Sequence, residues 1–170
     1  MRLQYSPNAW SCLPTAFAIA FGCPVDNLIE SIGHDGSEIV WPRYFEPMRR
    51  RGFHIQEIIH VLYQLGTTVT PIEAYSRLAP TESVQPRLID NTEIFERIVR
   101  TTRGVLTGAT ARCGHAVAYD HGIICDPRGH VYRFSDNRDF TANCAWVLHN
   151  YELQQRTGEQ HEIELYETNV

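Results

Sequence analysis

The chain has 170 residues, 43% of them hydrophobic and 21% charged, with a formal net charge of −5. That is the size and balance of one globular domain, able to bury roughly 70% of its unfolded surface. The acidic balance excludes nucleic acid as the main partner, since phosphate binding needs a basic face, and no apolar run approaches the roughly 20 residues that cross a bilayer.

Taken in chain order, the first half reads helical. Leu13, Ala16, Phe17, Ile19 and Ala20 make a short helix after Cys12, apolar nearly all round and so expected to be buried, with Gly22 as its stop. Pro14 fits a first turn, where no internal partner awaits an N–H. A second helix from Pro24 carries Leu28, Ile29 and Ile32 and ends at Gly33; a breaker-rich loop follows through Gly36, Pro42 and Pro47. The run Arg49-Arg50-Arg51 beside Gly52 reads as a solvated helix end. Ile55, Ile58, Ile59, Leu62 and Leu65 then repeat at helical spacing up to Gly66.

The second half changes period. A strand is expected over Thr67 to Ala74, a polar connector over "TESVQPRLIDN", and an amphipathic helix over Thr92 to Thr101. Strand-like runs follow at Gly104 to Thr110, His115 to Tyr119, Ile123 to Cys125, His130 to Phe134 and Ala145 to Leu148. No linker divides residues 1–170, which read as one domain with a polar tail from about residue 153. If that tail is ordered, either the domain or a partner subunit must hold it.

The five cysteines (Cys12, Cys23, Cys113, Cys125, Cys144) are scattered and form no C-x-x-C pair, so neither a disulfide framework nor a metal site is expected. All 15 basic residues are arginine, and the chain contains no lysine. An arginine-biased genome would account for that, as would an enzyme harmed by acylation of its own amines. The apolar stretch near the N-terminus does not read as a signal peptide. Polar residues separate it from Arg2, Pro14 breaks its start, and bulky Phe21 stands where cleavage needs a small residue. The expected location is the cytoplasm or a viral particle, without membrane attachment.

Two stretches carry chemistry. In "NAWSCLPTAFAIAFG" a cysteine sits where a polar loop turns into a buried helix. Exposed N–H groups and the positive end of the dipole suit a thiolate there, which makes Cys12 the candidate nucleophile. "GHAVAYDHGIICDPRG" reads as a hairpin turning at His121-Gly122. A two-residue turn sets Val117 opposite Asp126 and makes His115 and Asp126 diagonal neighbours on one face, about 7–8 Å apart at the backbone. His115 can then act as base, with Asp126 holding its tautomer. The oxyanion needs donors, for which the Cys12 backbone N–H and the side-chain amide of Gln4, or its rival Asn8, are available. Trp10, His34, Trp41 and Gly114 are candidates for the walls of a substrate cleft.

These pieces, "CLPTAFAIA", "GHAVAYD" and "DPRG" preceded by Gln4, resemble the papain-like cysteine peptidase superfamily, in particular its branch of double-glycine leader peptidases. The resemblance implies an α+β fold in which an N-terminal helical half, carrying the nucleophile helix, packs on a C-terminal antiparallel sheet. It implies Cys12 as nucleophile, His115 as base, Asp126 as orienter and Gln4 as oxyanion donor, with no metal or organic cofactor. Two departures stand out: Leu13 follows the cysteine where relatives usually have glycine, and Gln4 lies eight residues before Cys12, further than in papain.

The expected activity is therefore a thiol hydrolase acting on a peptide or isopeptide bond of a peptide or protein substrate. The same triad could serve deamidation, transglutamination or acyl transfer. A reading from another class is a catalytically silent structural or adaptor subunit of a larger assembly, a viral particle for example.

Overall fold

Small residues decide how closely the first helix lies on the sheet. In α1 (Cys12–Phe21) every residue from Pro14 to Ala20 is buried, and Ala16 and Ala20 join the same apolar cluster as Ala116 and Ala118. The computed structural model describes residues 1–40, 50–77, 88–111, 113–136 and 139–150. Gly22 ends α1 in the left-handed conformation, at φ 93°, and Gly33 does the same at φ 88° for α2 (Val25–Ile32). Helix α3 (Ile55–Gln64) opens with the His54 N–H donating to Glu57 Oε2 at 2.8 Å, a fold-back bond that satisfies an otherwise orphaned end.

Strand β1 (Thr67–Glu73) leads to a short pair, β2 (Tyr75–Arg77) and β3 (Leu88–Asp90), and then to helix α4 (Thr92–Thr101). Strands β4 (Arg103–Thr110), β5 (Gly114–Asp120), β6 (Ile123–Asp126), β7 (His130–Arg133) and β8 (Phe140–Asn150) follow, with a 3-10 turn at Phe134–Asp136. The main sheet is antiparallel throughout, in the order β1-β8-β4-β5-β6-β7.

Its centre is apolar on both faces because helices cover both. Val105, Ala116 and Ala118 join Phe17, Leu28, Ile58 and Leu62 from α1–α3, while Leu106, Val117, Tyr119 and Ile124 meet Phe95 and Val99 of α4. The fold is α+β, with a helical first half laid on an antiparallel second half.

The β5–β6 turn uses His121 at φ 48° and Gly122 at φ 81°, the pairing of positive angles that a two-residue hairpin needs. Its register runs Asp120↔Ile123, Tyr119↔Ile124 and Ala118↔Cys125. Gly108, opposite His115, lies where the β4–β8 ladder shifts register. A Cβ at Gly108 would stand 2.0 Å from the Thr141 carbonyl, so this approach of β8 to β4 admits glycine alone.

Three expectations need correction. The polar connector after residue 80 contains strand β3, too short for any period to show. The last strand starts at Phe140, five residues before Ala145, because β4 pairs with it across the bulge. Arg50 and Arg51 belong to a loop, not a helix end: Arg51 N–H donates to Glu38 O at 2.7 Å, and Gly52 N–H to Gly36 O at 3.0 Å. Trp41 and the tail from about 153 lie outside the described residues.

Candidate active site

The turn before α1 is built from its own polar side chains. Asn8 Oδ1 accepts the Trp10 N–H at 3.1 Å and the Ser11 hydroxyl at 2.6 Å. The carbonyl of fully buried Ser11 accepts the Thr15 N–H at 3.1 Å and its hydroxyl at 2.7 Å. This fixes the first residue of the helix, half-buried Cys12, at an N-terminus with no acidic residue in its first turn and no side-chain cap. Among the described residues no acidic side chain of the first turn faces these N–H groups.

His115 and Asp126 are both buried, at the start of β5 and the end of β6. Imidazole Nε2 lies 2.9 Å from Asp126 Oδ1, and the Cys12 thiol is the second side chain that acts on the same ring. Burial works to lower the ring's pKa, but the Asp126 bond, the Cys12 bond and the charges behind both outweigh it and raise the pKa from 6.5 to about 9. Burial likewise opposes ionisation of Asp126. The His115 bond, the Arg128 backbone N–H at 2.8 Å and the nearby positive charges prevail, and its carboxyl is held below the usual range. The edge of the His115 ring meets Phe140, with centroids 5.9 Å apart and planes at 88°. Phe140 was missed in the sequence because the start of β8 was not recognised.

Gln4 is not where an oxyanion donor must be. Its Nε2 donates to Cys23 O at 2.7 Å and its Oε1 accepts the Val25 N–H at 2.9 Å, so both ends of the amide clamp the α1–α2 corner. Cys23 lies beyond the far end of α1, about 16 Å along the axis from Cys12 at 1.5 Å per residue. Gln4→Ala should therefore cost about 1 kcal/mol in a urea melt, the usual net worth of a hydrogen bond, since both bonds are only part-buried, and leave Cys12 reactivity intact. A collapse of Cys12 reactivity in a folded Gln4→Ala protein would return Gln4 to the site. Asn8 is nearer: its Oδ1 is engaged in the turn, and its Nδ2 makes no hydrogen bond among the described residues.

Trp10 and His34 both contact the loop that carries Asp35 and Gly36. Trp10 Nε1–H donates to Asp35 O at 2.9 Å and the Arg50 guanidinium lies 5.3 Å over the indole. His34 stacks on Phe53 at 5.1 Å, and its Nδ1 accepts the Gly36 N–H at 3.1 Å. Its Nε2 is 3.2 Å from Glu57 Oε2 without hydrogen-bond alignment, so His34 shapes this loop by ring and backbone contacts. Gly114 is exposed beside His115, and a Cβ there would meet only Gly108 O at 3.9 Å.

The remaining cysteines differ from Cys12. Burial raises the thiols of Cys23 and Cys125, and pushes that of Cys144 up to about 11. Cys113 is exposed near the tip of the β4–β5 hairpin, with Arg128 Nη2 donating to its sulfur at 3.6 Å. Among the described residues no group of three or more His, Cys, Asp or Glu side chains is placed to hold a metal ion, and no single helix is long and apolar enough to cross a membrane.

No family model matches the sequence, and no curated protein does. Among solved structures the chain is similar to the peptidase domain of Streptococcus ComA, a bifunctional ABC transporter involved in a quorum-sensing pathway. The likeness has a TM-score of 0.51 at 14% identity, and spans 86% of this chain and 96% of that one. Identity that low speaks for architecture alone: the two share an α+β fold.

Proposed function

We propose that this protein is a thiol hydrolase that cleaves a peptide or isopeptide bond through an acyl-enzyme on Cys12. One observation carries the reading: a single imidazole bridges the thiol at the open N-terminus of α1 and a buried carboxylate. In the first step the Cys12 proton passes to His115 and the sulfur attacks the carbonyl carbon. The oxyanion takes the Cys12 backbone N–H and Asn8 Nδ2 as donors. The C–N bond then breaks, and His115 hands its proton to the departing amine. Water attacks the thioester in a second round, losing its proton to His115, and the thiol is restored.

A second reading, acyl transfer, replaces that water with an amine. The observation in its favour is the absence of lysine, since a chain with 15 arginines and no ε-amine cannot capture its own thioester on a side-chain amine.

Iodoacetamide labelling tests the reading without a known substrate. Cys12 should react well before Cys23, Cys125 and Cys144, whose thiols burial keeps protonated. His115→Ala should slow Cys12 and leave exposed Cys113 unaffected. Equal labelling of Cys12 and Cys23 would refute an activated thiol. The pH profile has a fixed sign: His115 must be protonated to release the amine, so cleavage should fall as pH rises through about 9.

A further inference from the structure

Serine is favoured just before a helix because its hydroxyl oxygen accepts an N–H of the first turn. Ser11 stands at that position before α1, yet its side chain makes no capping hydrogen bond. Pro14 occupies one of the two places from which such a cap would draw a donor, and proline has no N–H. The hydroxyl turns back instead to Asn8 Oδ1, 2.6 Å away. Ser11 is fully buried, so no water competes for that bond.

The neighbouring bond fixes its direction. The Trp10 N–H can only donate, so the Asn8 atom that receives it at 3.1 Å is the carbonyl oxygen, and the amide nitrogen faces the other way. Ser11 must then donate to the same oxygen, whose two lone pairs are both taken. Two donors on one carbonyl also draw charge from the amide and make its own N–H groups stronger donors. Among the described residues only His34 holds a buried side-chain nitrogen or oxygen without a partner, so the unbonded Asn8 Nδ2 is open to solvent.

Ser11 is held from its other side as well. Its carbonyl takes the Thr15 hydroxyl, whose oxygen lies 3.4 Å from the Ser6 hydroxyl that donates to it. The Ser6 N–H donates to Pro127 O at 3.1 Å, one residue past Asp126. Three hydroxyl residues thus tie the turn that carries Asn8 to the turn that carries Asp126.

We infer that Ser11 is a positioning residue for acylation: its hydroxyl holds the Asn8 amide with Nδ2 turned outward as an oxyanion donor. The inference rests on the cysteine-hydrolase reading above.

Two reactions of one thiol separate this role from a structural one. With benzyloxycarbonylglycine p-nitrophenyl ester, the Cys12 sulfur bonds the carbonyl carbon, the C=O pair moves onto oxygen, and its return expels p-nitrophenolate. Iodoacetamide reacts at a CH2 carbon, where the C–S bond forms as the C–I bond breaks and no charge collects on oxygen. An oxyanion donor therefore acts on the first reaction and not on the second. Asn8→Ala should slow acylation about 10²-fold, the usual loss for one such donor, and Ser11→Ala about 5–10-fold. Iodoacetamide should label Cys12 at the same rate in both variants. Because Ser11 acts through Asn8, adding Ser11→Ala to Asn8→Ala should slow acylation no further. Unchanged acylation in Ser11→Ala, labelling slowed as far as acylation, or losses that multiply in the double variant would each overturn the inference. Should Ser11→Ala not fold, Ser11→Cys, close in size and a poor donor, carries the same test. If the unaltered protein gives no p-nitrophenol burst dependent on Cys12, the hydrolase reading fails and the role of Ser11 falls with it; a burst that Ser11→Ala leaves intact removes Ser11 alone.

Discussion

Cys12→Ser and Cys12→Ala should each abolish turnover of an activated ester, by on the order of 10⁴-fold or more, while the protein stays folded. Serine keeps the shape of the side chain, but its hydroxyl is far less acidic than a thiol, and the imidazolium of His115 stabilises a thiolate and not an alkoxide. Cys12 is half-buried at a helix start, so the substitution removes little packing and should cost under about 1 kcal/mol of stability. His115→Ala should fall as far, because the proposed mechanism uses that ring both as the proton acceptor for the thiol and as the donor for the leaving amine. Cys23→Ser is the control. Its thiol lies beyond the opposite end of α1, near the Gln4 clamp, and that variant should keep its rate. Ester turnover that survives Cys12→Ala would remove Cys12 as the nucleophile, and a wild-type protein with no turnover above that variant would belong to the other class weighed for it, a silent structural subunit.

The features visible in the sequence were those set by local chemistry. Gly22 and Gly33 mark helix ends because each adopts a left-handed angle that most residues avoid. The hairpin register followed from His121-Gly122, since a two-residue turn leaves one pairing, and that pairing set His115 and Asp126 within a 2.9 Å hydrogen bond. What escaped depends on distant partners. Nothing near Gln4 signals that its amide will close on Cys23, 19 residues later. Ala142 and Asn143 disfavour a strand and interrupt the pattern that Phe140 and Thr141 begin, and β8 extends through them because β4 pairs with it past a bulge. Phe140 was lost with that stretch, and with it the ring that packs against His115. Arg128 was visible as a turn residue, yet its N–H is what fixes the Asp126 carboxylate.

Asp126→Asn should lower turnover by on the order of 10³-fold without unfolding the protein. Asp126 Oδ1 accepts both from His115 Nε2–H and from the Arg128 N–H, and an asparagine carbonyl can accept the same two donors, so what disappears is the charge. Without it the ring should titrate closer to its ordinary 6.5 than to about 9, and the thiolate–imidazolium pair loses its orienting anion. The alkaline fall in rate should move down accordingly. Stability carries the matching sign. A ring whose pKa is raised by folding stabilises the fold fully below 6.5, and that contribution is lost as pH rises through about 9. Asp126, lowered from 3.8, stabilises above that value and ceases to do so as pH falls through its folded pKa. The deficit of Asp126→Asn should therefore be greatest between about 3.8 and 6.5 and shrink above about 9 to the part owed to Arg128, as read from urea melts across that range. A merely structural aspartate in the turn before Pro127 would instead cost the same stability at every pH above its own titration and leave the alkaline limb in place. An unmoved limb in a folded Asp126→Asn protein would remove Asp126 from the catalytic group.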